Sequence, residues 1–337
     1  MALRLLCIGG TGNISAACVR EAVEQGLSVT VLTRGSRGAD LPPSVARVTG
    51  DASTPATLAE LAARGFDAVV DFVAFDAADV GRDIAAFRGR VGQYVFISSA
   101  SAYRKPPPSY VVTEDAPLAN PRWEYARKKI EAEDALRAAH RETGFPATIV
   151  RPSYTYGETW IPTASGSDYT VVHRLRRGLE IVVPGDGTSL FVLTHARDFA
   201  RGLVGLLGQP GAIGEAFHVT SDEVRTWEEI HRTIARVVGA EPRIVHVPSE
   251  FIARIDARRG ASLLGDKAWS LVFDNSKLRR VVPGFRARVP FEEGVRASIA
   301  WFEADPARQR IEANESVERI LGAWHRAMAA VGAVEGA

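Results

Sequence analysis

The chain of 337 residues is 46% hydrophobic and 24% charged, with a formal net charge of +1. That is enough material for a large core, and it gives no electrostatic case for nucleic acid or an anionic membrane as partner. Two cysteines, Cys7 and Cys18, exclude a secreted disulfide scaffold.

The chain begins on an apolar run, Leu3–Ile8, broken only by Arg4, with no signal-peptide architecture before it. No apolar run reaches the ~18 residues needed to cross a bilayer. A cytoplasmic protein is therefore expected. The run reads as a strand, Gly9–Gly12 as a glycine-rich turn, and Ile14–Gln25 as a helix. Further strands are predicted at Ser28–Leu32, Ala68–Phe72, Tyr94–Ile97 and Ala147–Val150. Helices are predicted at Thr57–Ala63, Val80–Phe87 and Trp123–Glu142. Apolar strands separated by helices imply a parallel sheet covered on both faces, a doubly wound α/β fold of the Rossmann type. After Gly157 the alternation weakens and proline, glycine and aromatics become irregularly spaced. A smaller substrate-binding lobe is expected there. The division is residues 1–157, with roughly 190–222 returning, for the first domain, and 158–189 with 223–337 for the lobe and tail. The tail from Ile311 shows helical spacing at Ile320, Leu321, Trp324 and Met328, and is expected to dock on the body.

Gly9-Gly10-Thr11-Gly12-Asn13-Ile14-Ser15 joins the first strand to the first helix. Glycines there let the backbone approach a pyrophosphate, and the helix N-terminus offers free N–H groups and a favourable dipole to that anion. Ser15 stands where a third glycine would be, and is small enough to preserve the packing. The second strand ends Val31-Leu32-Thr33-Arg34, with no carboxylate to bind ribose hydroxyls. A guanidinium suits a 2′-phosphate, so Arg34, with Arg37 nearby, favours NADP over NAD. Asp51, in Thr49-Gly50-Asp51-Ala52, is a candidate partner for the adenine amino group or a loop cap. Ala74, just past the strand at 68–72, is a further candidate cofactor contact.

The catalytic candidates lie further on. Hydroxyls begin where the strand at Tyr94–Ile97 stops, with Ser98 and Ser99, and ligands bind at strand C-terminal ends in such sheets. Tyr125 and Lys129 are four apart on a predicted helix and share a face. A lysine ammonium beside a phenol favours the phenolate, bringing the tyrosine from ~10 toward ~7, where it exchanges protons with an alcohol. Ser99 would hold the substrate oxygen while hydride passes to or from a nicotinamide.

Taken together, these motifs resemble the NAD-dependent epimerase/dehydratase family of extended short-chain dehydrogenases/reductases, of the UDP-galactose 4-epimerase kind. The resemblance rests on Gly9–Ser15, Ser98–Tyr103, Tyr125-x-x-x-Lys129, the run Val150–Gly157, Pro184-Gly185-Asp186-Gly187 and the segment Glu292–Trp301. It implies that Pro152 and Ser153 lie against the nicotinamide. It also implies a homodimer through the helices at Val80–Phe87 and Trp123–Glu142. The opening glycines also look somewhat like those of chloroplast stem-loop RNA-binding proteins. Family dehydratases and decarboxylases place an acid after the active-site Ser/Thr. Here Ala100 and Ser101 follow Ser99, which argues against elimination or decarboxylation. The arginine that sugar-nucleotide members often carry just before residues 190–195 is missing, and Arg176, Arg177, Arg258 and Arg259 are candidate substitutes.

The function expected is an NAD(P)-dependent epimerase or oxidoreductase acting at a secondary alcohol of a sugar or nucleotide sugar. Two alternatives are an NADPH-dependent ketoreductase and a non-catalytic dinucleotide sensor or RNA-binding protein. The retained Tyr-x-x-x-Lys pair speaks against the last. No metal site is expected: His195 with Asp198 is read as structural. The tryptophans Trp227, Trp269 and Trp301 are read as core, and the pair Arg279-Arg280 as solvated surface or an anion site.

Overall fold

The structure is a computed structural model and describes residues 2–35, 40–164 and 166–335. In chain order the first half comprises β1 (Arg4–Ile8), α1 (Ser15–Glu24), β2 (Ser28–Thr33), β3 (Ala46–Thr49), α2 (Pro55–Ala63), β4 (Phe66–Asp71), α3 (Ala77–Phe87) and β5 (Val91–Ile97). The short β6 (Val111–Val112), the long α4 (Glu124–Thr143) and β7 (Ala147–Pro152) follow. The expected helix at Val80–Phe87 starts earlier, because the Asp76 side chain accepts from the amides of Ala78 and Asp79 and caps α3. Gly144 closes α4 in the left-handed conformation that favours glycine.

The second half holds β8 (Tyr154–Tyr156), α5 (Thr170–Arg176), β9 (Glu180–Pro184), β10 (Leu190–His195), α6 (Ala196–Gly205), β11 (Ala216–Val219), β12 (Val224–Thr226) and α7 (Trp227–Val238). Then come β13 (Arg243–Val247), α8 (Ser249–Ile255), α9 (Ala257–Ser262), a π-helical turn at Leu263–Lys267, β14 (Val272–Phe273), α10 (Ser276–Val281), α11 (Phe291–Glu303) and α12 (Asn314–Glu335).

Among the described residues the main sheet has seven strands in the order β11-β7-β5-β4-β1-β2-β3, every pair parallel. This is the doubly wound α/β fold. Residues of α1 and α6 pack one face of it, around Val19, Phe199 and Leu203. Residues of α2, α3 and α4 pack the other, around Leu61, Val80 and Leu136. The strand order reverses between β1 and β4, and ligands bind at that crevice in open sheets.

The irregular composition after Gly157 conceals ordered pairing. β9 pairs in parallel with β13, and β10 lies between β8 and β12. A separate core gathers Trp227, Phe291, Phe302 and the first turns of α12. In that tail Ile320 and Leu321 are buried, whereas Met328, expected to dock, is 43% exposed. Trp227 is fully buried, while Trp269 and Trp301 are half-buried. No helix among the described residues is long and apolar enough to cross a membrane.

Candidate active site

The glycine turn is shaped by contacts that only glycine permits. Gly9 has φ +75°, and a Cβ on it would lie 2.5 Å from Val73 Cγ2. A Cβ on Gly10 would lie 2.4 Å from Val31 Cγ1. The backbone therefore sits flush against β2 and the end of β4. Ser15 does more than fit: its hydroxyl accepts the amide of Gly12 at 2.9 Å. The turn opens on a cleft of about 350 Å³. Gly9, Thr11, Gly12, Arg34, Asp51 and Ala74 all line it, so six of the ten predicted cofactor contacts converge on one space.

The other four lie elsewhere. Ile14 precedes α1 and packs into the core beneath it. Asn13 accepts from the Thr159 hydroxyl at 3.3 Å and lies close against Gly157. Pro152 pairs with Val219 on β11, and the Ser153 and Thr194 hydroxyls are 2.8 Å apart. Arg37 falls outside the described residues. At the cleft's outer end the Asp51 carboxyl is held below its usual range, first by the Ser53 amide and hydroxyl, with Arg34 and Arg82 adding to the effect.

The end of β4 links the cleft to α4. Asp71 accepts the amides of Val73 (2.6 Å) and Ala74 (2.7 Å), which fixes the turn. The Ala74 carbonyl then accepts from Lys129 Nζ at 2.8 Å, and the Ile97 carbonyl at the end of β5 accepts from it at the same distance. The Lys129 ammonium also lies 4.6 Å from the Phe96 ring. Burial lowers Lys129 to about 8, against the pull of Asp71, Asp79 and Glu133.

Tyr125, one turn earlier, packs on Phe75 (5.5 Å between ring centres) and Trp123 (4.8 Å). Phe75 is also 5.9 Å from Lys129 Nζ, so one ring borders both side chains. The expected drop of Tyr125 toward ~7 is not what this arrangement produces. Burial raises the phenol above its ordinary value and Asp266 adds to the rise, while the Ser99 hydroxyl beside it pulls the other way. The physical reason is that the Lys129 ammonium is committed to two backbone carbonyls. Ser99 itself caps the short helical turn Ala100–Ala102, accepting from the Ser101 amide at 3.2 Å.

Two groups of residues escaped the sequence reading. Glu133, one turn after Lys129 and fully buried, accepts from Ser98 Oγ at 2.5 Å and from Arg151 Nε and Nη2 at 2.9 and 2.6 Å. Arg151 also donates to the Tyr103 hydroxyl at 2.8 Å, and that hydroxyl meets His218 Nε2. One ion pair therefore ties together the segments bearing Ser99, Lys129 and Ser153. The x-x-x-Glu spacing after Lys129 was the available signal. The second group is Lys105, Asp266 and Lys267. Lys105 is buried with its Nζ 3.6 Å from Asp266, and Lys267 Nζ lies 5.2 Å from the Tyr154 ring. The π-helical turn carrying Asp266 packs on the segment before Tyr125, since the Gly265 carbonyl accepts from Asn120 at 2.6 Å. No local pattern announces it.

Two of the four candidate substitute arginines are otherwise engaged: Arg176 pairs with Glu303 and Arg259 with Asp256. Arg279 pairs with Asp222. His195 caps α6, accepting from the Arg197 amide at 3.2 Å, and burial brings it down to about 4. Among the described residues no cluster of three or more His, Cys, Asp or Glu is arranged to hold a metal ion.

A parallel seven-stranded sheet with a glycine-lined cleft at its switch point defines a Rossmann-type α/β protein. Residues 5–219 match the NAD dependent epimerase/dehydratase family, and the chain belongs to that family. It is 31% identical over 289 residues to 2′-dehydrokanamycin reductase of Streptomyces kanamyceticus, across 85% of this chain and 81% of that one. It is 29% identical over 271 residues to the chloroplast stem-loop binding protein of 41 kDa b of Arabidopsis thaliana, across 74% and 67%. In fold it matches the dTDP-glucose 4,6-dehydratase of Streptomyces venezuelae, solved with NAD bound, with a TM-score of 0.72 at 24% identity over 90% of this chain and 98% of that one. The relatives include oxidoreductases, epimerases and dehydratases, and the chain is an enzyme of this extended short-chain dehydrogenase type.

Proposed function

We propose that the chain reduces the carbonyl of a sugar-type substrate to a secondary alcohol, with NADPH favoured over NADH. The observation that carries this reading is the anchoring of Lys129 on Ala74, a residue that lines the glycine cleft. It sets the helix bearing Tyr125 at a fixed distance from the dinucleotide groove. A bound nicotinamide would supply the hydride. Tyr125, held protonated by burial, is the proton donor to the carbonyl oxygen, and Ser99 donates a second hydrogen bond to that oxygen. Lys129 fixes the turn at Ala74 and the strand end at Ile97. Gly9, Thr11 and Gly12 present backbone to the pyrophosphate, with Asn13 and Ile14 leading into α1. Arg34 and Asp51 serve the adenosine end, and Pro152 and Ser153 border the nicotinamide. Residues 158–189 and 223–337 form the substrate lobe, and α3 with α4 gives the homodimer surface.

The reductase direction is supported by the likeness to a named reductase. Epimerisation, which needs Tyr125 to cycle both ways within one encounter, is the second reading. The likeness to UDP-glucose 4-epimerase of Mycolicibacterium smegmatis, 27% identical over 240 residues, favours it. The test follows consumption of reduced nicotinamide with a panel of sugar ketones. Tyr125→Phe should lower turnover at least ~100-fold with cofactor binding intact. Unchanged turnover would remove Tyr125 from the mechanism. Isomerisation of a sugar with no added cofactor would replace the reductase reading with the epimerase one.

A further inference from the structure

The outer end of the cleft carries a second guanidinium that neither the glycine turn nor β2 announces. Arg82 projects from the middle of α3 and lines the same space as Arg34, Asp51 and Asp79. Arg34 and Arg82 both pull the Asp51 carboxyl down, and all three line the one cleft. Arg82 is held from one side only. Its Nη2 donates to Asp79 Oδ1, and the other oxygen of Asp79 accepts the Phe75 amide at 2.8 Å. Its Nε is shielded from solvent and has no hydrogen-bond acceptor among the described residues. A buried donor without an acceptor is costly, and an incoming oxygen would relieve it.

We propose that Arg82 is a second cationic contact for the 2′-phosphate of NADP, completing with Arg34 a two-sided grip at the adenosine end of the cleft. The inference rests on the NADP reading above and deepens it. A dianionic phosphate has oxygens for both guanidiniums, and charge-assisted bonds of this kind are the strong ones. A ribose hydroxyl offers one weak acceptor and leaves at least one of the two cations unused. Asp79 acts as the holder: it keeps the Arg82 side chain extended toward the cleft, so the contact needs little reordering on binding.

The two parts separate when binding is measured by calorimetry on the whole chain, using 2′,5′-ADP and 5′-AMP, probes that differ only in the 2′-phosphate. Wild-type protein should bind 2′,5′-ADP at least ~10-fold more tightly than 5′-AMP. Equal affinities would overturn the NADP reading and this proposal with it. Arg82→Gln should cut that preference by ~10-fold or more while 5′-AMP affinity stays within about twofold. Arg82→Lys, which keeps the charge but loses the fork, should retain part of the preference. If wild type prefers 2′,5′-ADP and Arg82→Gln keeps the whole preference, or weakens both probes equally, the NADP reading stands and Arg82 has no part in the phosphate grip. Thermal unfolding of each variant confirms that binding is read on folded protein.

Discussion

Replacing Glu133 by Gln tests the buried ion pair beneath the site. The carboxylate is fully buried and holds three side chains: the Ser98 hydroxyl, Arg151 through two nitrogens, and Arg137 at 3.1 Å. Gln keeps the shape and removes the charge. Its amide nitrogen must then face either the Arg151 guanidinium or Ser98, donor against donor. Arg151 has no solvent to turn to, since it too is fully buried, and its remaining acceptors are the Tyr103 hydroxyl and the Glu114 carbonyl at 3.0 Å. Breaking a buried pair by removing one partner costs about 3–5 kcal/mol. That is a large share of the ~5–15 kcal/mol by which folded domains are stable. At roughly 2–4 °C per kcal/mol for chains near this size, the melting temperature should fall by about 10 °C. Differential scanning calorimetry reads this directly. The double variant Glu133→Leu/Arg151→Met leaves no orphan charge and should lose clearly less than the two single changes summed. A Glu133→Gln melting temperature within about 2 °C of wild type, or strict additivity in the double variant, would refute the reasoning.

The glycine turn and the buried histidine give two further predictions. Gly10→Ala places a methyl 2.4 Å from Val31 and should weaken NADP binding at least ~10-fold, with partial recovery in Gly10→Ala/Val31→Ala, measured by nucleotide titration. A Gly10→Ala protein that binds as wild type would show that the backbone need not lie so close to β2. Burial lowers His218 from 6.5 to about 3, so between those values the unfolded chain binds the extra proton and acid favours unfolding. Wild-type stability in urea should therefore fall more steeply between about pH 6 and about pH 4.5 than that of His218→Gln, by about 1.4 kcal/mol per pH unit. Identical slopes would mean that the folded imidazole is already free to protonate.

What was legible in the sequence was local. The glycine turn, the strand-end hydroxyls and the Tyr125/Lys129 spacing each lie within a few residues, and such patterns fix a backbone conformation directly. The pairing of β9 with β13 was not legible, because it joins segments more than fifty residues apart and the half-exposed β13 lacks a continuous apolar run. The destination of the Lys129 ammonium was equally hidden. Whether it meets a phenol or a carbonyl depends on where the turns after β4 and β5 come to lie, and Asp71 settles one of them through the Val73 and Ala74 amides. The rise of the Tyr125 phenol was hidden for the same reason, since the burial that causes it, with Asp266 adding to it, comes from segments distant in the chain. Arg34 could be read from its place at the end of β2, whereas Arg82 sits mid-helix in α3, where an arginine normally signals solvent.

The sheet order also bears on how the chain is made. β7 is buried along its whole length, yet the strand that covers its outer edge, β11, follows only after β8, β9, β10 and two intervening helices have been synthesised. Until then the nascent first half exposes an apolar strand with unpaired backbone groups, the kind of edge that recruits other chains. The second half thus supplies the strand that finishes the sheet, and the enzyme cannot be cut in two at Gly157 without reopening that edge.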